Sequence, residues 1–177
     1  MEVAGRCVLP EVGLTGYSIA DRMQQEALLN TGETTLADLA ARTRDLLPVI
    51  VVGAPVRLRH TLYTCGVVIH RGRILGAVPK SFLPDYREFY ESRHFTSGAG
   101  LSQETLPLPG GAVPFGVDLL FEASDLPGFC LGVELCADLR GPAPPSTPQA
   151  LAGAPLTAHS SPTAIPVATA DPPPTPR

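Results

Sequence analysis

The chain has 177 residues, of which 44% are hydrophobic and 17% charged, a balance that fits one compact domain and lies outside the low-hydrophobicity, high-charge corner of disorder. Thirteen basic against 17 acidic side chains give a formal charge of −4. No stretch concentrates Lys or Arg, which excludes the basic patch that nucleic-acid binding requires.

No apolar run approaches the roughly 20 residues of a membrane span, and the opening MEVAGRCVLPEVG has no continuous apolar signal core. A cytoplasmic protein that contacts neither membrane nor nucleic acid is expected. In chain order, SIADRMQQEALL reads as a helix from Ser18 to Leu29, with Ser18 as N-cap and Asp21 in a capping-box-like position. TLADLAARTRDL reads as a second helix from Thr35 to Leu46, stopped by Pro48. The apolar run Val49–Val52 predicts a buried strand. Leu62–His70 and Ile74–Val78, joined by RGR with Gly72, predict a hairpin that delivers Lys80 just beyond its second strand. After a polar, aromatic loop and a Gly-rich stretch, two more strands are expected near Gly116–Phe121 and Phe129–Cys136. In the second, Leu131, Val133 and Leu135 alternate with Cys130, Gly132, Glu134 and Cys136. Eleven of the 20 prolines fall from Gly141 onward. GPAPPSTP and ADPPPTPR lack amide donors and hydrophobic periodicity, so this part is expected to be extended or poorly ordered rather than packed.

Three short blocks could carry chemistry: PEVGLTGY around Glu11, VPKSFLPDYREFYE around Lys80 and VELCADL around Cys136. Each alone has a plainer explanation: a solvated glutamate, a surface lysine, a small buried thiol. Together a thiol, a carboxylate and an ammonium suffice for thiol-based amide hydrolysis. The carboxylate takes the thiol proton, the thiolate attacks the carbonyl and the ammonium holds the oxyanion. Twelve of the 13 basic residues are Arg and Lys80 is the only Lys, a hint that a compact ammonium is required there. The four cysteines, Cys7, Cys65, Cys130 and Cys136, lack the spacing of a disulfide framework or of zinc knuckles, and His60, His70, His94 and His159 are scattered. No phosphate-cradling GxxxxGK[ST] or GxGxxG pattern occurs.

The three blocks, in this order, resemble the nitrilase (carbon-nitrogen hydrolase) superfamily. The strings PEVGLTGYSIADRMQQEALL, LLPVIVVGAPVR, LYTCGVVIHRGRILGAVPKSFLPDYREFYESRHF, VPFGVDLLFEASDLPGF and PPSTPQALAGA are similar to the glutaminase domain of the glutamine-dependent NAD synthetase family. The resemblance implies an α/β fold, an α-β-β-α sandwich truncated at both ends. It divides the chain into a partial carbon-nitrogen hydrolase domain over residues 1–140 and an eroded continuation with a Pro-rich tail over 141–177. It implies Glu11 as general base, Lys80 as oxyanion-stabilising lysine and Cys136 as nucleophile. Glu88 is implied as the second glutamate supporting the triad, Tyr86 as a glutamine-contacting tyrosine and Ser161 as a substrate-contacting serine.

On the same resemblance the substrate is glutamine, and the ammonia released serves a synthetase domain or subunit that amidates deamido-NAD to NAD. Hydrolysis itself takes no cofactor or metal; ATP and Mg belong to the synthetase domain. The resemblance also implies association with further copies of the chain. Departures are visible: Ala137 follows Cys136 where the family carries an acidic residue, Arg140 replaces an aromatic, and Pro155, Pro162 and Pro166 interrupt the segment resembling the next strand. They leave two alternatives open, an inactive remnant of the domain and a stand-alone nitrilase-type amidase.

Overall fold

A computed structural model describes residues 5–161. Two sheets stack between helices. The larger has six strands in the order β1-β2-β3-β4-β6-β5 and the smaller three in the order β7-β8-β9. The strands are β1 (Arg6–Val8), β2 (Val49–Leu58), β3 (Thr61–His70), β4 (Arg73–Pro79), β5 (Glu104–Leu108), β6 (Gly111–Phe115), β7 (Phe121–Glu122), β8 (Cys130–Leu135) and β9 (Leu156–Ser160). The helices are α1 (Glu26–Arg42) and α2 (Ser146–Leu151).

Period-two alternation in β2 sorts the layers. Ile50, Val52, Ala54 and Val56 pack with Leu36 and Ala40 of α1. Val49 and Val51 point the other way, into a second core with Val68, Val78, Leu131, Val133 and Ala158. β2 and β3 are therefore buried on both faces, which is why they read as nearly unbroken apolar runs. β8 follows the expected alternation: Leu131 and Val133 enter the core between the sheets. On its outer face a Cβ at Gly132 would collide with Gln149 of α2, and Glu134 accepts the Ser146 N–H at 3.3 Å. The layer order is α1, six-stranded sheet, three-stranded sheet, α2, the expected α-β-β-α sandwich.

Several local expectations differ. Instead of two helices there is a 3-10 turn over Ala20–Gln24 and one continuous α1. The extended Gln25 (ψ 126°) separates them. The NTGE stretch stays helical because Leu29, Gly32, Leu36 and Ala40 form one buried face. Thr31, Thr34 and Thr35 donate their hydroxyls to carbonyls one turn back. The Gly-rich stretch contains a hairpin, β5 and β6, whose turn places Gly110 and Gly111 at φ of 100° and 133°. Its prolines disguise it: Pro107 lies in the outermost strand, and Pro114 in β6, which meets β4 only at Ala77↔Phe115. The strand expected near Gly116–Phe121 is reduced to Phe121–Glu122.

The proline-rich continuation is ordered as far as the described residues go. In α2, Pro148 lies in the first turn, where a missing amide breaks no helical bond. β9 then runs parallel to β8 from Leu131↔Leu156 to Leu135↔Ser160. Its Ser160 donates to the Leu9 carbonyl at 2.7 Å, tying the end of the small sheet to the start of the chain. Pro162, Pro166 and the final ADPPPTPR lie outside the described residues.

Candidate active site

Glu11 sits in a tight turn after β1, closed by Gly13 N–H donating to the Pro10 carbonyl at 2.9 Å. The turn lies directly on β2, because Leu9 and Leu14 donate to the carbonyls of Val51 and Gly53 at 2.8 and 3.1 Å. Gly53 makes this approach possible: a Cβ there would fall 2.5 Å from Val12 N and 2.6 Å from the Glu11 Cα. Lys80 follows the last residue of β4. Its backbone is held on both sides, its N–H donating to Thr64 O at 2.9 Å and its carbonyl accepting from Gly98 N at 2.7 Å.

The Lys80 side chain is fully buried and reaches two carboxylates. Its Nζ lies 2.8 and 3.1 Å from the Glu11 oxygens and 2.9 and 2.7 Å from those of Glu91. Three N–H groups thus serve four carboxylate oxygens. Thr64 donates to Glu11 Oε1 at 3.2 Å and Tyr17 to Glu91 Oε1 at 2.8 Å. Burial opposes the charge on Lys80, but the two carboxylates outweigh it and raise its pKa. Glu91 is pushed up by burial and then by Glu11, against the pull of Lys80 and the Tyr17 hydroxyl. Burial and Glu91 together raise the Tyr17 phenol.

Cys136 opens a 3-10 turn directly after β8 and carries a left-handed φ of 38°, which breaks the strand alternation. Its half-buried thiol feels the charges of Lys80, Glu11 and Glu91, and Ser161 acts on it as well. Burial raises its pKa, the two glutamates add to the rise, and Lys80 and Ser161 oppose it. At neutral pH the group rests as a thiol.

The structure thus brings together Glu11, Lys80, Cys136 and Ser161. Tyr86 stands further out, half exposed, its ring 5.6 Å edge-on to Phe89, which in turn lies 6.1 Å from Tyr17. Glu88 is corrected. It is exposed, and the carboxylate on Lys80 belongs to Glu91, three residues later. The reason is local: the loop turns at Tyr86–Phe89, Arg87 takes a φ of 56°, and Glu91 N–H bonds back to the Pro84 carbonyl at 3.2 Å. Sequence reading also missed Tyr17, Thr64 and the buried Asp138. The only signal for Glu91 was a second glutamate in YREFYE, which an irregular loop gives no periodicity to resolve. Among the described residues no group of three or more His, Cys, Asp or Glu side chains is arranged to hold a metal, and no helix is long and apolar enough to cross a membrane.

The carbon-nitrogen hydrolase family profile matches residues 4–170. The chain belongs to the carbon-nitrogen hydrolase family. Members identified as glutamine-dependent NAD(+) synthetase are similar in sequence. The Mycobacterium tuberculosis protein is 54% identical over 158 residues, 89% of this chain and 23% of that protein. The Mycobacterium leprae protein is 49% identical over 154 residues, 87% of this chain and 22% of that protein. The chain therefore spans less than a quarter of the length of these curated relatives.

Among solved structures, a glutamine-dependent NAD(+) synthetase from Cytophaga hutchinsonii superimposes with a TM-score of 0.73 at 24% identity, over 89% of this chain and 24% of that one. A carbon-nitrogen hydrolase from Helicobacter pylori G27 gives 0.58 at 20% identity, over 89% and 48% of the two chains. Both share the fold of this carbon-nitrogen hydrolase chain.

Proposed function

We propose that this carbon-nitrogen hydrolase chain hydrolyses the side-chain amide of glutamine, the ammonia being used by a synthetase domain or subunit that amidates deamido-NAD at the expense of ATP and Mg. The observation that carries the reading is the buried Lys80 paired with Glu11 beside the strand-end Cys136, supported by 54% identity to a glutamine-dependent NAD(+) synthetase. Because Cys136 rests as a thiol, attack requires a base. Glu11 takes the Sγ proton as Sγ bonds to the amide carbon, and the oxyanion that develops is stabilised by the Lys80 ammonium. Glu11 returns the proton to the amide nitrogen, the C–N bond breaks and ammonia leaves. A water deprotonated by Glu11 then attacks the thioester, releasing glutamate and restoring the thiol.

Glu91 would hold Lys80 in place, Ser161 would lie beside the reacting thiol, and Tyr86 would contact glutamine at the mouth. Hydrolysis on this reading calls for no cofactor, and the reading places the protein in the cytoplasm, where glutamine and ATP are at hand. The test is labelling with the glutamine analogue diazo-oxonorleucine, followed by peptide mass spectrometry. Stoichiometric modification of Cys136 that glutamine blocks, and its absence in Cys136→Ser, is expected. Slow labelling spread over Cys7, Cys65, Cys130 and Cys136 would sink the proposal and leave a non-catalytic domain.

A further inference from the structure

Asp138 lies two residues past Cys136, is buried, and accepts from three main-chain amides belonging to two separate segments. Its Oδ1 receives the N–H groups of Ser81 and Phe82 at 2.9 and 2.8 Å, and its Oδ2 that of Leu135 at 3.2 Å. Ser81 and Phe82 are the two residues after Lys80; Leu135 is the residue before Cys136. One carboxylate therefore spans the gap between the chain that carries the ammonium and the chain that carries the thiol.

A second contact closes the same joint. Gly141, at the end of the 3-10 turn, leaves no room for a Cβ against the Phe82 ring. The far side of the Lys80 segment is fixed as well: the Ser97 hydroxyl donates to the Ser81 carbonyl at 2.6 Å. Among the described residues, the side chains of the other buried carboxylates at the site, Glu11 and Glu91, accept hydrogen bonds from side chains and none from a main-chain amide.

We infer that Asp138 is a positioning residue, which holds Cys136 in its left-handed conformation at a fixed place relative to Lys80, Glu11 and Glu91 without touching substrate. Charge-assisted bonds from a carboxylate to amides are strong and directional, and displacement of a reacting group by about 1 Å can cost on the order of a hundredfold in rate. The inference rests on Cys136 being the reacting thiol.

The test compares wild type, Asp138→Ala, Asp138→Asn and Leu36→Ala. Leu36 lies on the buried face of α1, in a core cluster that includes none of the residues of the joint, and serves as a variant that lowers stability alone. Two readouts are taken: thermal midpoint, and the pH dependence of Cys136 alkylation by iodoacetamide, with exposed Cys7 as internal reference. The groups acting on Cys136 in the intact site are Glu11, Lys80, Glu91 and Ser161. In Asp138→Ala the thiol leaves their field, so its alkylation midpoint moves toward that of an ordinary thiol, and diazo-oxonorleucine labelling falls by at least about tenfold. Asp138→Asn keeps an oxygen for the Ser81 and Phe82 amides and retains most of the wild-type profile.

Leu36→Ala lowers the thermal midpoint and leaves the Cys136 profile in place. An Asp138→Ala profile like that of wild type would overturn the inference and reduce Asp138 to a stabilising residue. If Asp138→Ala does not fold, Asp138→Asn decides: a profile shifted as far as that of a urea-unfolded sample would overturn the account of which bonds hold the joint. Wild-type Cys136 that fails to take diazo-oxonorleucine while its alkylation midpoint shifts in Asp138→Ala would refute the glutaminase reading and leave the positioning role standing.

Discussion

Lys80 answers to two carboxylates in a place where water cannot help any of the three. Removing the ammonium leaves Glu11 and Glu91 facing each other in the interior, and breaking a buried ion pair from one side costs about 3–5 kcal/mol. Lys80→Met is therefore expected to lose stability of that order in urea denaturation at neutral pH, and to regain part of it on acidification as one carboxylate takes up a proton. Glu88→Gln, at the exposed position three residues before Glu91, is expected to stay within about 0.5 kcal/mol of wild type. A Glu88→Gln loss as large as that of Lys80→Met would mean that the two glutamates have been assigned the wrong way round. Gly53 acts on the same site from the backbone. Its missing Cβ lets the Glu11 turn rest on β2, so Gly53→Ala presses main chain against main chain, where no rotamer change gives relief.

Between elements, the contact of α2 with β8 is the one that composition disguised. Gln149 Nε2 donates to the Val133 and Val117 carbonyls at 3.0 and 3.4 Å, crossing β8 where Gly132 has no side chain. Gly132→Ala forces Gln149 out of that place, with an expected cost of about 1–3 kcal/mol. In the double variant with Gln149→Ala the two losses should sum to more than the combined loss, because the second change removes the clash created by the first. Strict additivity in denaturant titrations would refute that contact. Proline content concealed α2 and the β5–β6 hairpin alike, since a proline forbids an element only where an amide is needed. By contrast β2, β3, β4 and β8 were legible because an apolar run or a period of two survives any loop arrangement. Lys80 and Cys136 could be placed from the ends of the strands they follow, whereas Glu11 lies in a loop and is singled out by its block and the family resemblance. Glu91, Tyr17 and Asp138 could not be placed, because loop conformation alone decides which of several polar side chains turns inward.

Across the whole molecule, two buried carboxylates are shifted in the same direction. Glu91 and Asp138 both titrate above their ordinary values of 4.5 and 3.8, chiefly through burial. The folded chain therefore binds more protons than the unfolded one between those values and the raised ones. The stability contributed is complete below the ordinary values and is lost as pH rises through the folded ones. Exposed Asp21 and Asp85 are shifted downward by hydrogen bonds from Arg93 and Ser92, so their contribution is lost only as pH falls through values below 3.8. Thermal midpoints should rise as pH is lowered from neutral toward 4.5, and Glu91→Gln should flatten that rise. A midpoint that falls steadily over this interval in the wild-type protein would contradict the burial of both groups.

The hydrogen bond from Ser160 to the Leu9 carbonyl also sets a clock. A chain made from its amino end presents Glu11 first, completes the Glu11–Lys80–Glu91 cluster once residue 91 has emerged, and acquires the thiol 45 positions later. The clasp that joins β9 to the Glu11 turn forms only after residue 160 exists. Until β8 and β9 emerge the growing polypeptide thus carries one face of the large sheet bare, with its valines awaiting the partner strand, and long-range closures of this kind are slow. Chaperone dependence during translation should accordingly be governed by how quickly β8 and β9 arrive, and synonymous changes that slow translation between residues 91 and 160 are where yield would be most sensitive.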